Sequence, residues 1–381
     1  MSLFETAVRA ISISPDGATV AVGDDSGEIA LWDLPTNKVL KRWKGHAEGV
    51  RALQFSTDAA TLVSGANDGL IRYWSVADGE LQRNVQVIGK VEDARLSPNG
   101  KTIAVAFKES KVVQILDASN GKEIRRLQLP AAHALPGTNQ CPRLVFSRDG
   151  SMLVTACGGR SWPKFIGGNA TISIWETDNW SLRASFDADR FTISDLALSP
   201  DGRCLAGATN RGKTVKLWTI PPPAKKGKGD PATIARLIKR LESDKFADRE
   251  VAQRELQEMG QAAEEAVTRA AESDSAELRF RARAILERLS PRSLEPSSVL
   301  PRSTFDVHAV AFSPDGEWLA SGRQFDKPGN VVLYKLGDNP RRVIAPHQHG
   351  AWVAAFTPDG KQLLTGRRDG RVTSWSFEVS K

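Results

Sequence analysis

Short apolar runs recur along the chain, and polar turns that contain glycine separate them. In one copy, apolar runs at Val310–Phe312 and Trp318–Ala320 flank the turn Ser313–Gly316, which ends in Asp-Gly. An Asp-Gly pair between two apolar runs is a hairpin signal, because glycine readily adopts the positive φ that a tight turn between strands requires. The pattern therefore predicts antiparallel strands over most of the chain.

The same unit occurs seven times, and its spacing predicts the architecture. Each copy opens its turn with a hydroxyl residue: Ser14, Ser56, Ser97, Ser147, Ser199, Ser313 and Thr357. Subtracting these positions gives successive spacings of 42, 41, 50, 52, 114 and 44 residues. A period of about forty residues that contains several short strands is typical of a β-propeller, in which each repeat forms one blade. We therefore predict an all-β fold with seven blades.

Three motifs recur within these repeats. The first repeat contains Ser14-Pro15-Asp16-Gly17, then Trp32-Asp33, and ends in Gly45-His46. This set resembles the WD-repeat family of β-propellers, in its bacterial type, over residues 1–223 and about 294–381. The resemblance implies that residues 2–5 pair with residues 371–378, which completes blade seven and closes the ring. Closure would remove two exposed strand edges.

The resemblance also implies a hydrogen-bonded set of four polar side chains within a blade. A histidine contacts the turn aspartate and a strand hydroxyl, and a tryptophan N–H donates to that hydroxyl. Such a chain satisfies polar groups that are buried between blades, so we interpret these histidines as structural rather than metal-binding or catalytic. The predicted sets are His46, Ser64, Asp68 and Trp74 in repeat two, and His347, Thr365, Asp369 and Trp375 in repeat seven.

The spacing of 114 residues contains an insertion. After residue 231 the apolar period becomes helical, and Ile234, Leu237, Ile238 and Leu241 share one face. We predict a helix that is capped by Asp230, followed by helices over 247–259, 261–272 and 275–289, the last with a capping box at Asp274 and Glu277. The four helices resemble a HEAT-like fragment. They either contact a second partner or form a passive appendage, and both alternatives stay open.

These patterns predict three segments. Residues 1–223 form blades one to five, with residues 2–5 closing blade seven. Residues 224–293 form the linker and the four-helix subdomain, and residues 294–381 form the end of blade five with blades six and seven. The fold class is thus an all-β, seven-bladed propeller with an inserted α-helical subdomain.

Composition narrows the functional classes. The 52 basic and 45 acidic residues give a net charge of +7, and the two signs alternate along most of the chain. The densest basic run, Lys225–Lys228, lies in a Pro/Gly-rich linker, so a solvated linker is the simpler interpretation and nucleic-acid binding the alternative. Neither a secretory signal nor an apolar membrane-spanning run is recognisable, which predicts a cytoplasmic location. Three cysteines do not form a disulfide framework, although Cys141 and Cys157 flank one hairpin and could approach each other.

Alignment of the repeats identifies candidate contact residues. The second residue of each first strand should line the mouth of the central channel, and these residues are Arg9, Arg51, Glu92, Pro142, Ser194, His308 and Trp352. By resemblance, equivalent positions contact peptides in WD-repeat proteins; exposed decoration is the alternative. Adding the rim and its long loops gives the full protein-binding set: Arg9, Arg51, Asn67, Glu92, Arg160, Trp162, Phe165, His308, Arg323, Phe325, Trp352 and Arg368.

The sequence carries no recognisable catalytic motif. It lacks a Gly-x-Ser-x-Gly elbow and histidines at helical ligand spacing, and one Glu with one His at the channel mouth are too few for a metal shell. We therefore expect no catalytic residue, cofactor, metal or small-molecule substrate. The predicted function is a non-enzymatic scaffold or adaptor within a protein complex. A nucleic-acid-associated regulatory or sensor subunit is the alternative, and a metal-dependent hydrolase is a third, weaker option.

Overall fold

The computed structural model describes residues 4–129, 142–158, 169–209, 212–220, 230–259, 261–289, 296–301, 306–323, 329–337, 342–347 and 350–376. Two compact units comprise these segments: one spans 1–172, 187–220 and 295–381, and the other spans 173–186 and 221–294. The fold is a seven-bladed β-propeller with four helices inserted in its sequence, as the repeat pattern predicts.

The first three blades are continuous along the chain, and each pairs its four strands antiparallel and in sequence order. Blade one contains β1 (Val8–Ile13), β2 (Thr19–Asp24), β3 (Glu28–Asp33) and β4 (Lys38–Lys44). Blade two contains β5 (Val50–Phe55), β6 (Thr61–Ala66), β7 (Leu70–Ser75) and β8 (Leu81–Gln86). Blade three contains β9 (Val91–Leu96), β10 (Thr102–Phe107), β11 (Val112–Asp117) and β12 (Glu123–Gln128).

The remaining blades follow the same order. Blade four contains β13 (Arg143–Phe146), β14 (Met152–Gly158), β15 (Ala170–Glu176) and β16 (Ser181–Asp189). Blade five contains β17 (Ile193–Leu198), β18 (Cys204–Thr209), β19 (Val215–Thr219) and the two-residue β20 (Ser298–Val299), which pairs with β19 across the insertion. Blade six contains β21 (Val307–Phe312), β22 (Trp318–Arg323), β23 (Gly329–Lys335) and β24 (Arg342–His347). Blade seven contains β25 (Ala351–Phe356), β26 (Gln362–Arg367) and β27 (Val372–Ser376).

One local turn explains why the hydroxyl residue repeats. Ser14 Oγ donates to Asp16 Oδ1 (2.5 Å) and accepts from the N–H of Thr19 (2.8 Å), which joins β1 to β2. The same two bonds recur in all the other turns of this kind, at Ser56, Ser97, Ser147, Ser199, Ser313 and Thr357. These bonds satisfy the polar groups of the turn, so seven hairpins form from local sequence alone.

The first strands of the blades pack in a closed series. Strand β1 contacts β5, and β5, β9, β13, β17, β21 and β25 each contact the next, until β25 returns to β1. The N-terminal segment lies at this junction: the N–H of Phe4 donates to the carbonyl of Gly370 (3.2 Å), and its ring is buried with Val8 and Val372. Among the described residues blade seven has three strands and Phe4 is outside any strand. A fourth strand from residues 2–5 therefore stays a prediction.

The helices of the second unit form two similar hairpins. The helices are α1 (Pro231–Arg240), α2 (Phe246–Met259), α3 (Gln261–Ala270) and α4 (Ala276–Leu289), so the second hairpin repeats the first after 30 residues. Arg249 Nη1 donates to the carbonyl of Ser243 (2.7 Å), and Arg279 Nη1 donates in the same way to the carbonyl of Ser273 (2.8 Å). Each arginine thus satisfies a carbonyl of the loop that joins the two helices of its hairpin.

The interior and the first cap of this unit follow from the sequence. Leu237, Leu256, Val267 and Ile285 are fully buried in one apolar cluster. Asp230 caps α1 through the N–H groups of Ala232 and Thr233, which confirms that cap. The predicted capping box at Asp274 is wrong: α4 begins at Ala276, and the hydroxyl that faces its first turn belongs to Ser275, whose Oγ lies 3.4 Å from the N of Leu278.

Candidate functional site

The predicted channel-mouth residues share one backbone feature. In β1, Val8 and Ala10 pair with Asp24 and Gly23, so Arg9 is the extra residue of a β-bulge. The same irregularity isolates the equivalent residue in five other blades: Arg51, Glu92, Ser194, His308 and Trp352. A bulge bends the strand and redirects the extra side chain out of the ladder. Six blades therefore turn the same position out of the regular sheet, while Pro142 precedes β13 and is buried.

Two of these arginines converge on one carboxylate. Arg9 Nε donates to Asp25 Oδ2 (2.8 Å), and Arg51 Nη1 lies 3.0 Å from Asp25 Oδ1. Arg51 Nε also donates to Asn67 Oδ1 (3.3 Å). Asp25 and Asn67 occupy equivalent positions at the ends of β2 and β6. The result is a network across blades one and two in which two guanidinium groups share a single negative charge.

Trp352 contacts a side chain from each of its two neighbouring blades. The Arg9 guanidinium from blade one lies 3.5 Å from the centre of the Trp352 ring, and the His308 imidazole from blade six stacks on it with centroids 5.5 Å apart. The Trp352 ring is therefore in contact with one side chain from each of its two neighbouring blades. Such cation–π contact is worth about 0.5–2 kcal/mol, depending on how far the ion is desolvated. Trp352 therefore packs between neighbouring blades, and its place at the channel mouth stays a prediction.

A second ion pair spans blades three and four. Arg143 Nη1 donates to Glu92 Oε1 (2.9 Å), and Arg143 Nε donates to the carbonyl of Ser194 in blade five (2.6 Å). Arg143 follows Pro142, so it lies one position beyond the aligned residue. Alignment of the repeats therefore missed Arg143, and it missed Asp25 because the rim position was assigned only in blades two and seven.

His308 is held neutral at physiological pH. Burial, with smaller contributions from the positive charges of Arg143 and Arg9, lowers its pKa from 6.5 to about 4. His308 Nε2 and Trp352 Nε1 are both buried and have no hydrogen-bond partner among the described residues. Buried polar atoms are normally paired, so two unpaired atoms on stacked rings indicate a place for water or for a ligand group.

Carboxylates one position further along the first strands join neighbouring blades. Asp93 Oδ2 accepts from the N–H of Leu144 (3.0 Å), and Asp195 Oδ2 accepts from the N–H of Val310 (2.9 Å). Burial raises the pKa of Asp195 to about 6, and the bond from Val310 opposes this rise. These two residues therefore join adjacent blades through side-chain to backbone hydrogen bonds.

The predicted polar set of blade two forms a continuous hydrogen-bonded chain. Trp74 Nε1 donates to Ser64 Oγ (2.7 Å), Ser64 Oγ lies 2.7 Å from His46 Nε2, and His46 Nδ1 lies 3.0 Å from Asp68. Burial lowers the pKa of His46, which favours a neutral ring that donates from Nδ1 and accepts at Nε2. In blade seven, Trp375 Nε1 donates to Thr365 Oγ1 (3.2 Å), and Asp369 pairs with Arg367. His347 lies in β24, and its side chain is outside the described residues.

Other predicted residues lie away from this network or outside the described part of the chain. Arg368 is exposed after β26, and Arg323 ends β22, although nothing is described of the Arg323 side chain. The loop candidates Arg160, Trp162 and Phe165, together with Phe325 and Cys141, lie outside the described residues. Cys204 is a free thiol, and burial raises its pKa to about 11.

A further concave surface lies between blades four and five. This cleft, of about 550 Å³, is lined by Asp187, Asp189, Arg190, Phe191 and Lys216 among others. Lys216 Nζ lies 2.7 Å from Asp189 Oδ2, so the two charges on its floor neutralise each other. Within the described residues, no cluster of three or more His, Cys, Asp or Glu side chains could hold a metal ion. Nor is any helix in the described segments both long and apolar enough to cross a bilayer.

Comparisons with known proteins agree with this architecture. The family model described as "WD domain, G-beta repeat" matches residues 3–33, 37–75, 180–219, 294–334 and 338–376. The crystal structure of the β-propeller domain of Cps50 (Swd1) from Myceliophteria thermophila is similar over 99% of both chains, with a TM-score of 0.66 and 17% sequence identity. No curated protein matches the chain. The repeated turn, the ring of first strands and the family match together identify the chain as a member of the WD40 repeat β-propeller family.

Proposed function

We propose that the protein is a non-enzymatic interaction scaffold that binds a protein partner across the channel mouth. Members of this family are typically non-catalytic and bind proteins. The similar Cps50 (Swd1) domain is too distant in sequence to transfer a particular partner. The proposal includes a cytoplasmic location and the bacterial type of the family.

One observation carries this proposal. Six blades use a bulge to turn the same position out of the sheet, and four of those side chains are Arg9, Arg51, Glu92 and His308. Charged side chains are costly to order unless they have partners, and the three charged ones have them: Asp25 pairs with Arg9 and Arg51, and Arg143 pairs with Glu92. A preorganised polar surface of this kind favours specific recognition, because less side-chain entropy is lost on binding.

The helical unit supports a second contact surface in the proposal. Phe246 at the start of α2 is 65% exposed, and Phe280 on α4 is 71% exposed. Aromatic side chains are enriched in interface cores, and two exposed phenylalanines in a unit of four short helices are unusual on a surface that meets only water. The repeat of the helical hairpin after 30 residues supports the HEAT-like interpretation, and the two exposed phenylalanines favour contact with a second partner over a passive appendage.

Affinity capture from the native cells tests the scaffold. Arg51→Glu reverses the charge at a bulged position without removing a buried ring, whereas Trp352 is unsuitable because its ring packs between two blades. We expect Arg51→Glu to lose the captured partner and Arg126→Glu, a matched charge reversal on the exposed outer strand β12, to keep it. Phe246→Ser with Phe280→Ser tests the helical surface separately. Equal capture by all variants would reject the proposed surfaces.

Nucleic-acid binding is the second candidate, because the chain carries a net charge of +7. Binding that depends on phosphate contacts weakens steeply with salt, since counterions are released. Titration of a labelled duplex between low and moderate salt tests this candidate. A salt-independent or undetectable signal would remove it.

A further inference from the structure

We propose that the channel mouth recognises carboxylate side chains, so that the partner presents an acidic segment to Arg9 and Arg51. This inference rests on the proposed scaffold function and specifies the chemistry of its partner. It concerns the network of Arg9, Asp25, Arg51 and Asn67, and the adjoining rings of Trp352 and His308.

The network contains more donors than acceptors. Asp25 accepts from both Arg9 and Arg51, and Asn67 accepts from Arg51. These bonds use Nε and Nη2 of Arg9, and Nε and Nη1 of Arg51, which leaves Arg9 Nη1 and Arg51 Nη2 without a partner among the described residues. Each guanidinium offers five N–H groups in a planar fork that matches a carboxylate. The excess therefore favours a ligand that brings acceptors.

The charges of the network also favour an anionic ligand. Two guanidinium charges share one carboxylate at Asp25, and both arginines are only 22% exposed at their side chains. Glu92 also acts on Arg9, but its own ion-pair partner is Arg143. The positions equivalent to Asp25 and Asn67 carry Lys108 in blade three and Arg368 in blade seven, and both are exposed. A partly buried positive charge attracts an anion more strongly than a fully solvated one, because water screens it less.

The adjoining rings of Trp352 and His308 disfavour a cationic ligand. The Arg9 guanidinium lies 3.5 Å from the centre of the Trp352 ring, so this cation already occupies the indole and would repel a lysine or methylated lysine. The Trp352 Nε1–H is a buried donor without an acceptor among the described residues.

Blocked peptides provide the probe. Acetylated and amidated hexaglutamate, hexaglutamine and hexalysine carry defined side chains and no terminal charges. We expect the full-length protein to bind hexaglutamate, measured by calorimetry at low salt, and to bind neither of the others. Arg51→Gln should weaken hexaglutamate binding about tenfold or more, which is the loss of one charge-assisted hydrogen bond, and Arg126→Gln on β12 should leave it unchanged.

Asp25→Asn distinguishes a site for carboxylates from a site for cations. The change removes the carboxylate that competes for Arg9 and Arg51, so hexaglutamate should bind several-fold tighter, whereas a site for cations would bind its ligand more weakly. Circular dichroism and the thermal midpoint would verify that each variant is folded. The inference would be overturned if the protein preferred hexalysine, or if Asp25→Asn bound hexaglutamate more weakly. A single-stranded DNA, hexathymidylate, serves as a phosphate probe, and tighter binding of it than of hexaglutamate would also overturn the inference.

The scaffold proposal can still hold if carboxylate recognition is rejected. If Arg51→Glu still abolishes capture of the native partner while hexaglutamate does not bind, the channel mouth is a protein-binding surface with another chemistry. If neither hexaglutamate nor the native partner depends on Arg51, both proposals fail together.

Discussion

Gly366 in the last blade packs directly against Val8 in the first. A Cβ added to Gly366 would lie 2.4 Å from Val8 Cγ1 and 2.7 Å from Val353 Cγ2, closer than carbon atoms can approach. Equivalent glycines face the next blade elsewhere: a Cβ on Gly23 would meet Val50 Cγ1 at 2.7 Å. The absence of a side chain on the second strand is therefore what permits the first strand of the neighbouring blade to lie so close.

Gly366→Ala should weaken the junction between the last and first blades. We expect a loss of about 1–3 kcal/mol in the free energy of unfolding, because overpacking forces the side chains or strands apart. Urea denaturation measures the loss. Gly89→Ala is the control, since its Cβ would meet Phe107 at an ordinary 3.6 Å. Equal stability of the two variants would show that the junction relaxes without cost.

Phe4→Ala should show how far the N-terminal segment stabilises the ring. Phe4 is 3% exposed and lies in the cluster that contains Val8, Trp32 and Val372, so truncation should cost about 3–5 kcal/mol. Phe246→Ala removes the same ring from an exposed position and should change stability little. Deletion of residues 1–6 should lower the thermal midpoint as well. An unchanged midpoint in both N-terminal variants would place closure elsewhere.

Ala59→Gly should stabilise blade two. Six of the seven repeated turns have glycine with positive φ at the third position after the hydroxyl residue, but the second turn has Ala59 at φ 57°. The left-handed region costs a residue with a Cβ about 1–2 kcal/mol. We expect a higher unfolding free energy by about 1 kcal/mol at most, because glycine also increases the entropy of the unfolded chain. The opposite change, Gly17→Ala, should destabilise the first turn.

Ser64→Ala should lower the free energy of unfolding by more than the loss of an exposed hydroxyl does. Its Oγ contacts both Trp74 Nε1 and His46 Nε2, so the change leaves two buried polar atoms unpaired. Each unpaired group costs about 1–3 kcal/mol. Ser119→Ala, which removes an exposed hydroxyl in the turn after β11, provides the comparison. Similar unfolding free energies would mean that water replaces Ser64.

His308 should make stability depend on pH. Its pKa is about 4 in the folded protein, below the ordinary 6.5, so protonation favours the unfolded chain. The free energy of unfolding has its full value with respect to His308 above pH 6.5. It falls by up to about 3 kcal/mol as the pH falls from 6.5 towards 4. His308→Gln should remove this loss. Asp195 titrates near 6 with the opposite sign, so the difference between wild type and variant is the quantity to measure.

Local sequence was sufficient to predict the blades and their number. The turn from Ser14 to Thr19 is satisfied by groups within five residues, and each such hairpin therefore forms by the same rule wherever the motif occurs. The helical period after Asp230 likewise predicted four helices to within a few residues of their observed ends. Asp274 was mistaken for a cap because Ser275, one residue later, offers an equally good oxygen.

The contacts of the channel mouth were not predictable in the same way. Alignment identified Arg9, Arg51 and Trp352 as equivalent positions, because the repeat period is a property of the sequence. That both arginines share Asp25, and that Trp352 contacts Arg9 and His308, depends on how adjacent blades pack. Sequence determined the repeating units because hairpins are local. Only the tertiary structure decided which side chains meet, because Arg51 and Asp25, like Trp352 and its two neighbours, belong to different blades.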